Sequence, residues 1–144
     1  MKKKKEQEFA EKIEAWLQPY YPRKTYYFST NVHQHGADII VKKKKATERA
    51  QKEEPVILQI DTKLEDFYNI IGEGFCRLKE GDRKIPTFIA VPYSKMRKRD
   101  WDFREFISLF EYFEEKIGVL VMFENDKVKA EHNPWRASPS VHFK

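Results

Sequence analysis

Two aspartates sit where a core strand has no use for charge. Asp38 stands in the run Gly36-Ala37-Asp38-Ile39-Ile40-Val41, and Asp61 in Val56-Ile57-Leu58-Gln59-Ile60-Asp61-Thr62-Lys63. A carboxylate buried without a partner is costly, so an acid in an apolar run implies pairing or a bound metal. Lys63 follows Asp61 by two residues. Two acids and a lysine that meet in space form a phosphodiester-cutting set. The acids hold a divalent ion that activates a water and offsets charge at phosphorus. The lysine orients or helps deprotonate that water and stabilises the phosphorane.

The triplet Asp61-Thr62-Lys63 has little force by itself. Roughly three acid-x-lysine triplets are expected by chance in so charged a chain, and Asp82-Arg83-Lys84 and Glu114-Glu115-Lys116 are two others. Those fall in a turn and on a helix. Only Asp61-Thr62-Lys63 closes a buried-type strand, follows an apolar strand bearing a lone aspartate, and precedes an amphipathic helix. Residues two apart on a strand share a face, so Gln59, Asp61 and Lys63 project together. Asp38 joins them if its strand pairs with theirs in the right register.

The elements that must position these residues are legible from periodicity. Phe9, Ile13, Trp16 and Leu17 at helical spacing predict a helix from about Lys5 to Pro19. Lys24 to Thr30 is aromatic and β-branched, and reads as a strand. The Asp38 strand follows a turn at Asn31 to Gly36, and the charged stretch Lys42 to Glu54 reads as a protruding hairpin loop or a short exposed helix. After the Asp61 strand, Phe67, Ile70, Ile71, Gly74, Phe75 and Leu78 line one face of a predicted helix over Leu64 to Leu78. Thr87 to Pro92 reads as a buried strand. Asp102 and Glu105 form a capping box opening a helix to about Lys116, and Gly118 to Phe123 is a strong strand. Short turns predict an antiparallel start and helical crossovers a parallel continuation. The expected architecture is an α/β sandwich, a mixed sheet of about five strands flanked by helices. One domain is expected over residues 1–144, with a polar, partly disordered tail from about residue 125.

Composition sets the outer bounds. The 144 residues are 40% hydrophobic and 15% aromatic, which predicts a folded globule with its own core. No apolar run approaches the roughly 20 residues that span a bilayer, and the basic start Met1 to Lys5 is followed by Glu6, Gln7 and Glu8 rather than an apolar leader. A single cysteine, Cys76, excludes an internal disulfide framework and a multi-cysteine zinc site. A cytoplasmic location is expected. The net charge of +5 suits a polyanionic partner without requiring one. Lys42, Lys43, Lys44 and Lys45 form one basic cluster, and Lys95, Arg97, Lys98 and Arg99 another. Each is read either as a phosphate grip or as a solvated face.

With these residues in view, the chain resembles the PD-(D/E)XK nuclease superfamily, the restriction-endonuclease-like fold. The resemblance runs from the helix near Lys5 to the strand ending near Pro92. It implies that Asp38 and Asp61 bind Mg²⁺ or Mn²⁺, with the Thr62 backbone carbonyl as a further ligand and Lys63 as the catalytic lysine. Many such nucleases carry a glutamate in the first helix, and Glu6 is the candidate here. Ala37 stands where the motif has proline. Asp61 stands where glutamate is usual, one methylene shorter. Glu73 and Arg77 stand near the positions of the Gln-x-x-x-Tyr pattern of some subgroups.

The activity implied is Mg²⁺-dependent endonucleolytic hydrolysis of DNA, duplex or branched, by a monomer or a homodimer. Two alternatives stay open: an inactive nuclease-fold subunit that binds nucleic acid, and a structural or protein-interaction domain whose acids sit in salt bridges. His33 and His35 are candidates for phosphate or metal contact, or simply turn histidines. Trp101 and Trp135 are candidates for base stacking or for packing.

Overall fold

A computed structural model describes residues 2–30, 38–44, 56–62, 64, 85–95, 103–111 and 116–143 of the chain. Helix α1 (Lys2–Leu17) buries Phe9, Ala10, Ile13 and Leu17, the apolar stripe its sequence spacing dictates. Six strands follow: β1 (Tyr26–Thr30), β2 (Ile39–Lys43), β3 (Val56–Thr62), β4 (Thr87–Pro92), β5 (Gly118–Met122) and β6 (Val128–His132). A 3₁₀ turn spans Tyr93–Lys95, and helix α2 spans Phe103–Glu111. The predicted helix over residues 64–78 lies outside the described residues.

The strands form one mixed sheet in the order β1-β2-β3-β4-β5-β6. β1, β2 and β3 pair antiparallel, β3, β4 and β5 pair parallel, and β6 returns antiparallel on β5. This is the expected sequence of a meander followed by crossovers. Alternation along β4 splits the core in two. Phe88 and Ala90 join α1 and the strand residues Ile39, Val41, Leu58, Ile60 and Leu120 on one face. Ile89 and Val91 join Val119, Val121 and Phe110 of α2 on the other. The helices therefore cover opposite faces of the sheet, an α/β sandwich.

The sixth strand and the chain that follows it are the main departure from the sequence reading, which had about five strands and a polar tail. In β6, Val128 and Ala130 turn inward while Lys129 and Glu131 alternate outward. Residues 133–143 then cross back to α1, and Val141 and Phe143 are buried. The Phe143 ring packs 5.0 Å from Trp16 and 5.1 Å from Phe88, centroid to centroid. The Tyr21 hydroxyl donates to Ser140 O (2.7 Å) and accepts from His142 N–H (3.1 Å), and the His142 ring stacks on Tyr21 at 4.6 Å. Apolar residues spaced singly among polar ones carry no helical or strand run, yet two of them suffice to close this end of the core.

Candidate functional site at the ends of β2 and β3

The register of β2 against β3 determines where the two aspartates go. Ile39 faces Ile60, Ile40 faces Gln59 and Val41 faces Leu58, so the paired register ends one residue short of Asp38 on β2 and of Asp61 on β3. Beyond Val41 the pairing slips, Lys42 facing Val56, so Ile57 is the extra residue of a bulge. That is why Ile57 packs toward the same core as Leu58 and Ile60, and why the alternation of Gln59 and Asp61 starts afresh after it.

Asp38, Asp61 and Thr62 are buried, with relative exposures of 5%, 4% and 8%. Asp38 lies in a bend just before β2, not inside the strand as its sequence run suggested. Its Oδ2 accepts two hydrogen bonds from Thr62, from the backbone N–H (2.9 Å) and from the hydroxyl (3.0 Å). The backbone explains this meeting. Gln59 N–H points to β4, where it donates to Pro86 O (2.9 Å). Alternation then turns the N–H of Leu58, Ile60 and Thr62 toward β2. At Thr62 the Asp38 carboxylate takes the place of a ladder carbonyl.

Asp61 occupies the next position, level with Ile89 of β4, and so belongs to the α2 face. Thr62 is level with Ala90 on the α1 face. The structure thus brings Asp38 onto the Asp61–Thr62 segment by way of the Thr62 peptide, around the end of the strand. Lys63 lies outside the described residues. Carboxylate oxygens are hard donors, which suit Mg²⁺ or Mn²⁺ over a soft metal. Among the described residues no group of three or more His, Cys, Asp or Glu side chains is arranged to hold a metal.

The remaining candidates are dispersed. Glu6 is half-buried on α1. The α1 acid tied to the Asp38 end of the sheet is Glu14, which accepts from the Thr30 hydroxyl (2.8 Å) and lies 3.8 Å from Arg23. Thr30 faces Ile39, the residue after Asp38. A sequence argument passed over Glu14 because it lies off the apolar stripe, and the flanking position is what lets it reach Thr30.

The lysine run is split by strand alternation. Lys42 faces Tyr27 and Lys43 faces Tyr26, on opposite sides of the sheet, and the Lys44 ammonium donates to Arg23 O. Lys95 ends the 3₁₀ turn, its side chain outside the described set. Lys45, Arg97, Lys98, Arg99, His33, His35 and Trp101 also lie outside the described residues. Trp135 is a packing residue: its indole N–H donates to Lys116 O (3.1 Å), and the Lys116 ammonium sits 5.5 Å from the ring centre. Among the described residues no helix is long and apolar enough to cross a membrane. No protein-family profile, curated protein or solved structure matches the chain.

Proposed function

We propose that the chain is a Mg²⁺- or Mn²⁺-dependent endodeoxyribonuclease with a restriction-endonuclease-like fold, a soluble enzyme of the PD-(D/E)XK kind. One observation carries the reading: the buried Asp38 carboxylate is clamped on the peptide of Thr62, the residue between Asp61 and Lys63. The order of elements agrees with it. The first acid opens the second strand, the second acid lies near the end of the third, and the two strands are neighbours.

In this reading Asp38, Asp61 and the Thr62 carbonyl would hold the cation, which would supply an activated water and neutralise charge on the phosphodiester. Both bonds from Thr62 fall on Asp38 Oδ2, so Oδ1 is the oxygen available for the metal. The clamp fixes the rotamer of Asp38 before substrate arrives, which lowers the reorganisation needed in the transition state. Lys63 orients the attacking water and stabilises the charge gathering on phosphorus. Aspartate at position 61 shortens the reach toward the cation by one methylene relative to glutamate.

The same two bonds also favour a second reading, in which Asp38 caps the end of β3 and the chain is an inactive, nuclease-like domain that cuts nothing. One pair of measurements separates them. Wild type and the Asp38→Asn, Asp61→Asn and Lys63→Ala variants are incubated with duplex, branched and single-stranded DNA in Mg²⁺ or Mn²⁺, and the melting temperature is followed with and without metal. The nuclease reading expects cleavage by wild type, at least a hundredfold loss in each variant, and metal stabilisation of wild type that Asp38→Asn abolishes. Absence of cleavage on every substrate, or variants as active as wild type, overturns it.

A further inference from the structure

We infer that the β1–β2 ribbon is a single-strand binding surface, with Tyr27 as the base-stacking platform and Lys42 as its phosphate contact. This rests on the nuclease reading for the placement of the scissile phosphate, but not for the binding itself. Tyr27 is 50% exposed, the most exposed large apolar side chain among the described residues. An open tyrosine ring offers a stacking surface, and every nucleobase has a π face to place on it.

Position makes Tyr27 more than a stray aromatic. It faces Lys42 directly across the ribbon, and directly opposed residues share a sheet face. Ser29 faces Ile40, and Ile40 faces Gln59, two residues before Asp61. Tyr27, Lys42, Ile40, Gln59 and Asp61 therefore lie on one face, whereas Tyr26, Phe28 and Val41 turn to the α1 core. The bulge at Ile57 does not disturb this, because the β1–β2 register runs unbroken from Tyr26↔Lys43 to Thr30↔Ile39.

Charge selects the occupant. Arg23, Lys24, Lys42, Lys43 and Lys44 gather at the end of the ribbon remote from Asp38, Lys42 on the Tyr27 face and Lys43 on the other, and among the described residues Glu14 is the acid that meets one of them. Lys42 is half-buried, while Lys43 is exposed. Four residues of strand separate Lys42 from Asp38, about 13 Å at ~3.3 Å per residue. Tyr27 and Lys42 therefore stand within a few nucleotides' span of the aspartates, a spacing that suits an unpaired strand presented to the site rather than a distant docking patch.

The test is fluorescence anisotropy with a labelled oligothymidylate in EDTA, where cleavage cannot occur. Tyr27→Ala is expected to weaken binding about tenfold with an unchanged salt dependence. Lys42→Ala is expected to weaken binding and to reduce the slope of log K against log salt by about 0.7. Tyr27→Trp, which keeps a stacking ring, is expected to restore affinity. Wild type that binds the oligonucleotide in EDTA but cuts no substrate in Mg²⁺ or Mn²⁺ refutes the nuclease reading and leaves this inference standing. Wild-type affinity in both Tyr27→Ala and Lys42→Ala overturns the inference. So does a Tyr27-dependent dimer in sedimentation whose DNA affinity is unaffected by the substitution.

Discussion

The Asp38 carboxylate and Thr62 are joined twice through one oxygen, by the Thr62 N–H at 2.9 Å and the Thr62 hydroxyl at 3.0 Å, in a buried setting. Thr62→Val keeps the N–H bond and the shape but removes the hydroxyl. Hydrogen bonds to a charged group contribute about 1.5–3 kcal/mol, so urea unfolding should show a loss of about 2 kcal/mol. Under the nuclease reading the same variant also lowers kcat, because Asp38 loses one of the two bonds that fix it. Unchanged stability would mean the hydroxyl bond is not formed in solution.

Tyr21 ties the start of the chain to its end. Burial pushes its hydroxyl up from 10.0 to about 12, the His142 N–H opposing the rise and Tyr26 adding to it. The unfolded chain gives up this proton before the folded protein does. Its stabilising effect is therefore intact below pH 10 and is lost as pH rises toward about 12. Two units at ~1.36 kcal/mol each amount to about 3 kcal/mol. Tyr21→Phe should start about 1–2 kcal/mol less stable at neutral pH, for want of the Ser140 and His142 bonds, and should lack this alkaline loss. Denaturant titrations at neutral pH and near pH 11 check both points.

Phe143 tests whether residues 133–143 belong to the core. Its ring is buried against Trp16, Tyr20 and Phe88. Phe143→Ala should cost about 3–5 kcal/mol in chemical denaturation. A polar, loosely held tail would show almost no change.

His132 gives the sheet an acid-side dependence. Burial lowers its affinity for a proton below the usual 6.5, and the Glu111 carboxylate pulls the other way. As pH falls through about 6.5 the unfolded chain takes up a proton that the folded protein resists. Stability should decline over that range and level off below the folded pKa. Comparing wild type with His132→Gln at about pH 7.5 and pH 5 isolates this contribution from the carboxylates; equal pH dependence in the two would refute it.

Gly118 opens β5 beside Phe88 in the parallel register. A Cβ there would overlap Cδ1 and Cε1 of the Phe88 ring, which is fully buried and has no room to swing aside. Gly118→Ala should therefore destabilise by about 3 kcal/mol through overpacking, read as a fall in the denaturation midpoint. A neutral substitution would show that the ring can repack.

What the sequence determined by itself was local. The stripe Phe9, Ile13, Leu17 defines α1, the apolar runs ending at Thr62, Pro92 and Met122 define the central strands, and short turns against long crossovers separate the antiparallel pairs from the parallel ones. Each is a property of neighbours in the chain, set by side-chain period and loop length. Asp38 and Asp61 stood out for the same reason, as charges inside apolar runs.

Register and long-range contact were decided only in three dimensions. Ile39 faces Ile60 because burying Ile39, Val41, Leu58 and Ile60 together fixes one alignment of β2 on β3. A slip of one residue would have moved Asp38 off the Thr62 peptide. The same alternation that unites Gln59 and Asp61 divides Lys42 from Lys43, which a count of lysines cannot show. Glu14 meets Thr30, and Phe143 meets Phe88, across separations no periodicity spans. Sequence supplied the acids and the strands; the packing of two apolar faces decided which atoms of those strands meet.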